Sequence, residues 1–417
     1  MSDMRNWAGN VEYASDRVAA PASIDELLQL TATAPALQGL GTRHSFSRVA
    51  DTAGIHVTTE GLGLAVELDG PAGCARVPGH VRYGDLATLL AAEGLAVANL
   101  ASLPHISVAG AVSTSTHGSG DRNGTLATSV RAVELATSTG ELVRLQRGDG
   151  DFDGAVVALG ALGVMTIVEL DVEPAFEVRQ DVIDGASRAR VREGFEEIFS
   201  SAYSVSLFTP WAADGLGQLW VKQRRSDATD IAALCELSGG QVATAKRHPV
   251  PGHDPVNCTE QGQWGPSHDR LPHFRMDFTP SSGNELQTEY LVPRDQAVEA
   301  LAALEALAPD IAPLLMVTEV RTMAADSLWL SGAYGRDTVG IHFTWKPDER
   351  VHGLLPGLER TLGAVGGRPH WGKVFRTPAA SLEARYPRYG DFRDLRSRLD
   401  PRGAFATGFL RECGLAD

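Results

Sequence analysis

Apolar and polar positions alternate along the chain in ways that predict both helices and strands. Ser23-Ile24-Asp25-Glu26 ahead of Leu27, Leu28 and Leu30 has the form of a capping box that opens a helix. A short apolar segment then leads into a loop at Gly41. Residues 83–93 predict a second helix, with Leu86, Leu89 and Leu90 on one face and Gly94 as the stop. Residues 130–137 and 141–145 read as strands joined by a turn at Ser138-Thr139-Gly140, and 164–172 as a strand ended by Pro174. Beyond Pro174 the composition shifts, and the stretches 201–221 and 271–291 are richer in aromatics and strand formers. Residues 293–308 predict a helix opened by Pro293, with Val298, Leu301 and Leu304 on its apolar side. Further strands are predicted at 316–322, 340–345 and 370–375. Gly215-Leu216-Gly217 and the region 223–256 read as loops, and no internal repeat is visible.

This mixture is an α+β pattern, and 417 residues are more than one ordinary core accommodates, so two domains are expected. The hydrophobic fraction is 43% and the net charge is −15. A field of that sign repels nucleic acid and anionic membrane surfaces, and it suits a neutral small-molecule partner. No apolar run is long enough to span a bilayer, and the first residues lack an apolar targeting core, so a cytoplasmic monomer is expected. Cys74, Cys235, Cys258 and Cys413 are widely scattered, and the histidines form no close metal-binding pair. Neither a disulfide framework nor a metal is expected.

Two stretches carry the chemistry. Gly39-Leu40-Gly41-Thr42-Arg43-His44-Ser45-Phe46 allows the backbone to turn sharply and bring N–H groups close to a ligand. The second runs from Ala101-Ser102-Leu103-Pro104-His105 through Ser107, Gly110, Ser113 and Thr114 to Thr116-His117-Gly118-Ser119-Gly120, adding hydroxyl donors. Such a nest suits a pyrophosphate, although it is neither the G-x-G-x-x-G fingerprint nor a P-loop. Plain polar loops are the alternative. On the strand at 316–322, Glu319 and Arg321 share one face while Val320 points away; His342 and Thr344 have the same relation around Phe343. Lys373 lies two residues after Trp371 on the strand expected at 370–375. These groups are either a solvated sheet face with ordinary ion pairs or a polar wall that binds a ligand.

Several segments resemble, in order, the motifs of the vanillyl-alcohol oxidase flavoprotein family: Asn6-Trp7, Gly41-Thr42-Arg43-His44-Ser45, Ser102-Leu103-Pro104-His105, Thr116-His117-Gly118-Ser119-Gly120 and Gly160-Ala161-Leu162-Gly163-Val164-Met165-Thr166. Glu319-Val320-Arg321-Thr322, His342-Phe343-Thr344-Trp345 and Pro369-His370-Trp371-Gly372-Lys373-Val374-Phe375 resemble its alditol oxidase branch, which groups with sugar-lactone oxidases. Two departures stand out. Arg43 occupies a position where glycine is commoner, and Phe405-Ala406-Thr407-Gly408-Phe409 lacks the asparagine often found before the closing phenylalanine.

The resemblance implies a two-domain fold with an FAD domain at 1–175, a substrate domain with an antiparallel sheet at 176–380, and a segment 381–417 that returns to the FAD domain. It implies FAD bonded covalently through His44. The surrounding contacts would come from Gly41, Thr42, Arg43, Ser45 and Phe46; from Ser102, Ser107, Gly110, Ser113, Thr114, Thr116, His117 and Gly118; and from Gly163, Val164 and Ile167. Ser102, Glu319, Arg321, Thr344 and Lys373 would bind substrate. Arg321, Lys373 and His342 would be catalytic, with the proton acceptor open between His342 and Lys373. The implied reaction is oxidation of a terminal alditol hydroxyl, as in xylitol or sorbitol, with O2 reduced to H2O2. The rivals are a sugar-1,4-lactone oxidase or dehydrogenase on the same fold, and a flavin-free sugar-binding protein.

Overall fold

The computed structural model describes residues 4–278 and 284–417, so residues 279–283 of the expected strand-rich stretch lie outside the described residues, as do the first three. The first helix, Ile24–Thr33, opens as its pattern predicts. The Ser23 hydroxyl accepts from Glu26 N–H at 3.2 Å, and the Glu26 carboxylate reaches back to Ala22 N–H at 2.8 Å. In the first half, a five-stranded antiparallel sheet runs in the order Glu67–Asp69, Cys74–Pro78, Val164–Asp171, Val130–Ala136, Leu142–Gln146. A small parallel sheet of Val18–Ala19, Ile55–Val57 and Leu37–Gly39 delivers the chain to the Gly41 loop.

The second half is organised by a nine-stranded sheet. Its middle is the antiparallel series Glu177–Ser187, Leu216–Arg224, Ser204–Thr209, Leu315–Met323, Thr338–Trp345 and Leu286–Pro293. One face of this sheet is apolar. Val320, Ile341, Phe343 and Trp345 pack there against Leu301 and Leu304 of the helix Ala297–Ile311 and Leu355 and Leu358 of the helix Arg350–Ala364. The other face carries Glu289, Glu319, Arg321 and His342, and all four are nonetheless buried. The α+β class follows from these layers.

The terminal segment closes the first core. Leu382, Tyr389, Phe392 and Leu410 belong to the same buried cluster as Leu86, Val133 and Val168. Arg402 donates to the carbonyls of Thr31, Ala34 and Ser138. Among the described residues, no helix is long and apolar enough to cross a membrane.

Five expectations are corrected. Leu216 and Gly217 are not loop residues but open the strand Leu216–Arg224, paired with Ser187 and Ala186. In the helix Tyr83–Ala92 the buried row is Tyr83, Leu86, Ala87 and Leu90, which leaves Leu89 exposed on the flank. In Ala297–Ile311 the row is Ala297, Ala300, Leu301 and Leu304, and Val298 faces water. Residues 370–375 are not a strand. Pairing ends at Arg368–Pro369, and the chain turns so that Trp371 joins the core of the first half. The region 223–256 is not all loop, because it holds the helix Ile231–Ser238, capped by Asp230 and stopped by Gly239 at φ 76°.

Trp345 is fully buried, stacks on Phe343 with ring centroids 5.2 Å apart, and donates from Nε1 to Thr288 Oγ1 at 3.0 Å. Truncating a buried aromatic of this kind costs about 3–5 kcal/mol. Trp345→Ala should lose stability in that range by urea unfolding. A loss below about 1 kcal/mol would mean that the apolar face relaxes around the hole far more than a packed core does.

Candidate active site

A cavity of about 240 Å³ runs between the glycine nest of the first half and the polar face of the large sheet. At one end lie the backbone of residues 39–45, Ser107, Gly110, Ser113, Thr114, Thr116 and the stretch 159–165. The walls must come close here. A side chain on Gly41 would run into Ser107 Oγ, and one on Gly163 would run into the carbonyl of Ala136. Gly163 also has φ 151°, which an L side chain rarely adopts. Arg43 holds φ 61°, so the residue standing in glycine's place adopts glycine's left-handed backbone.

Of the residues expected at the cofactor, Phe46, Gly118 and Ile167 do not line this cavity. Phe46 is buried behind the loop, with its N–H on Gly372 O at 2.7 Å. The Gly118 carbonyl accepts from His117 Nδ1 at 2.9 Å. Ile167 sits within its sheet, paired with Pro78 and Glu134. The other expected residues, Val164 and His117 included, reach the cavity.

His44 is stacked on Trp7, with ring centroids 5.4 Å apart. Its Nδ1 is buried with no hydrogen-bond partner. Burial first, then the neighbouring His105 and Lys373, push its pKa down to about 4, so the imidazole is neutral. A neutral ring with an unpartnered buried nitrogen, facing a cavity lined by close backbone, fits a flavin beside it.

At the other end the sheet register assembles the wall. Glu289, His342 and Glu319 lie directly opposite one another across three strands, and Gln287, Thr344 and Val317 form the next row. Arg321 is ion-paired with Glu319, and donates to Ser102 Oγ at 2.6 Å and His117 O at 3.2 Å. Burial works against the Glu319 charge, but Arg321 and His273 hold its carboxyl well below the usual range. The solvated-face reading therefore fails: these groups are enclosed and paired with one another. Lys373 reaches the same cavity from the turn, not from a strand. Its N–H bonds His370 O at 3.0 Å, and its ammonium bonds Gln287 and lies 5.0 Å from the Phe46 ring. Burial lowers its pKa to about 8.

Among the cavity residues outside the expected set, four are polar groups at the wall. Gln287 and Glu289 alternate with Thr288 and Tyr290, the same period-two signal that exposed Glu319 and Arg321. His370 and His273 come from irregular segments and carry no such signal. Glu289 takes His117 Nε2 at 3.0 Å on one oxygen and His342 Nδ1 at 3.4 Å on the other. Burial raises its pKa, yet His117 and His342 hold the carboxyl well below normal. The possible ligand atoms of His117, Glu289 and His370 all lie within 4.8 Å of one another. However, His370 Nδ1 accepts from Gly372 N–H at 3.0 Å, and burial pushes the ring down to about 3. The neutral ring then carries its proton on Nε2, where a metal would need a lone pair.

Family models match at both ends of the chain: an FAD binding domain over residues 15–146 and D-arabinono-1,4-lactone oxidase over residues 280–413. The chain is 48% identical to an alditol oxidase of a Streptomyces species over 412 residues, which is 98% of each protein. It is 29% identical to an L-gulono-1,4-lactone dehydrogenase of Mycobacterium tuberculosis over 97% of each. Among solved structures, the cholesterol oxidase of B. sterolicum superposes with a TM-score of 0.79 at 13% identity, covering 98% of this chain and 96% of that one, which speaks to the fold alone. The two-sheet architecture, the nest-and-wall cavity and these matches lead to one conclusion: the chain belongs to the vanillyl-alcohol oxidase family of FAD-dependent oxidoreductases.

Proposed function

We propose that this protein oxidises the terminal hydroxyl of alditols, with xylitol or sorbitol as substrate, in the reaction alditol + O2 → aldose + H2O2. The observation that carries the reading is the enclosed wall of Glu319, Arg321, His342, Thr344 and Lys373 at the end of the flavin cavity. Every polyol hydroxyl is both donor and acceptor, and this wall offers both kinds of partner in fixed register. Similarity to an alditol oxidase along nearly the whole chain supports it. Residues 1–175 and 381–417 would form the FAD-binding part, and 176–380 the substrate part. Bound FAD, held through the His44 imidazole, supplies the two-electron acceptor.

Glu319, Thr344 and Ser102 bind the substrate chain. Arg321 and Lys373 face the reacting hydroxyl and stabilise the negative charge that grows on its oxygen. His342 takes the proton. Burial keeps its ring neutral, Nδ1 is turned to Glu289, and Nε2 lies 3.2 Å from Thr344 Oγ1, where its lone pair accepts. The second reading is a sugar-1,4-lactone substrate, favoured by the lactone-oxidase match over residues 280–413. Comparing xylitol, sorbitol and lactones as reductants of the enzyme separates the two.

Four outcomes are expected. Acid-precipitated protein should stay yellow, with the flavin on a peptide containing His44, and His44→Ala should hold FAD only loosely. Colour passing wholly to the supernatant would refute the linkage. Arg321→Ala or Lys373→Ala should slow anaerobic flavin reduction by xylitol on the order of 10²–10³-fold. The wild-type rate should also fall as pH rises through about 8, where Lys373 loses its charge, and Lys373→Arg should shift that limb upward. Lastly, Ala101 lines the cavity and leaves room for O2. Ala101→Leu should slow reoxidation of reduced enzyme in aerated buffer while leaving reduction largely intact. If wild-type reoxidation is already slow, and turnover needs an added dye, the protein is a dehydrogenase.

A further inference from the structure

Behind the wall lies a buried amine that does not itself line the cavity and meets the wall through His273. Lys222 stands on the strand Leu216–Arg224, in the apolar run Leu219-Trp220-Val221, and is only 2% exposed. Its amine bonds the carbonyls of Leu271 and Pro272 and lies 3.1 Å from His273 Nδ1. His273 is 5% exposed, and its Nε2 lies 2.7 Å from Glu319 Oε1. The other Glu319 oxygen holds Arg321, which in turn holds Ser102. An unbroken chain of hydrogen bonds therefore runs from a buried amine to the two groups that grip the substrate.

The direction of donation along this chain is fixed by chemistry. Burial lowers the Lys222 pKa to about 7, yet charged or neutral the amine keeps N–H donors, and the ionised Glu319 only accepts, so the His273 nitrogen facing the amine presents a lone pair. A neutral imidazole with its lone pair on Nδ1 carries its proton on Nε2. That proton points at Glu319. Burial and the charge of Lys222 push His273 down to about 4, which keeps the ring neutral and makes the choice of tautomer decisive. In the other tautomer, His273 would present a lone pair to a carboxylate and Glu319 would lose a partner. Trp220 and Phe208 pack edge-on against the ring, with centroids 5.2 and 5.3 Å away, so it cannot flip freely to repair the mismatch.

We infer that Lys222 and His273 are positioning residues: Lys222 selects the Nε2–H tautomer of His273, and His273 thereby fixes the Glu319 carboxylate that orients Arg321 toward the substrate. The inference deepens the proposed reading of the wall and rests on it.

The test is a double-mutant cycle with Lys222→Met and His273→Gln, read as anaerobic flavin reduction by xylitol. Glutamine keeps an amide N–H for Glu319 that needs no tautomer to be chosen. Lys222→Met alone should lower the limiting reduction rate on the order of tenfold, the effect of stranding a buried partner. In the His273→Gln background the same change should cost much less, because the choice it controls no longer exists. Equal costs in the two backgrounds, or no cost in either, overturn the inference. Should Lys222→Met not fold, 15N NMR of the wild-type holoenzyme decides, with His273→Gln assigning the resonance. A ring held as the Nε2–H tautomer from pH 6 to 8 supports the inference, and an Nδ1–H tautomer or an imidazolium overturns it. If wild-type enzyme is not reduced by xylitol, the substrate reading falls, while the tautomer measurement still judges the relay.

Discussion

The paired burial of Glu319 and Arg321 is the constraint around which the site is arranged. The large sheet is apolar on its helix-covered face, and its opposite face is covered by the first half of the molecule. Any charge there loses its water and must find partners in the protein. Removing one member of such a pair typically costs about 3–5 kcal/mol, because the other is left buried and alone. The same demand explains Glu289 between His117 and His342, and the placing of Ser102 and the His117 carbonyl around the Arg321 guanidinium. A wall so extensively cross-bonded is stiff, and stiffness is what a site needs if it is to hold several identical hydroxyls in one register.

Burial also sorts the titratable groups. His44, His273 and His370 are all pushed toward the neutral form, while Glu289 and Glu319 are held ionised by their neighbours. Neutral rings beside fixed carboxylates have defined tautomers, so each nitrogen has an assigned part as donor or acceptor. The acceptor nitrogens of His273 and His342 belong to this single electrostatic pattern.

Much of this was legible in the sequence where a period spoke for itself. Two-residue alternation put Glu319 with Arg321 and His342 with Thr344, and sent Val320 and Phe343 to the opposite core. The capping box named the start of the first helix. The same alternation at Gln287 and Glu289 is harder to see, because the strand Leu286–Pro293 lies within a longer strand-rich stretch with no local boundary signal. The apolar-aromatic segment 370–375 predicts a strand under Lys373, and the chain turns there because Trp371 has a distant core to fill. Lys222 in its apolar run, and His273 in an irregular segment, give no local sign that they meet. Leu89 and Val298 are apolar yet exposed, because each lies off the buried row of its helix.

The closing of the first core by the terminal segment has a consequence for how the molecule is made. Leu382, Tyr389, Phe392 and Leu410 share a cluster with residues such as Leu86 and Val133 that precede them by most of the chain. A ribosome adding roughly 5–20 residues per second takes tens of seconds to deliver the missing pieces. Through that interval the flavin-binding half has its sheet but not its full lining, and it shows apolar surface that the finished protein hides. The order of synthesis thus leaves part of the first core uncovered until the last residues arrive.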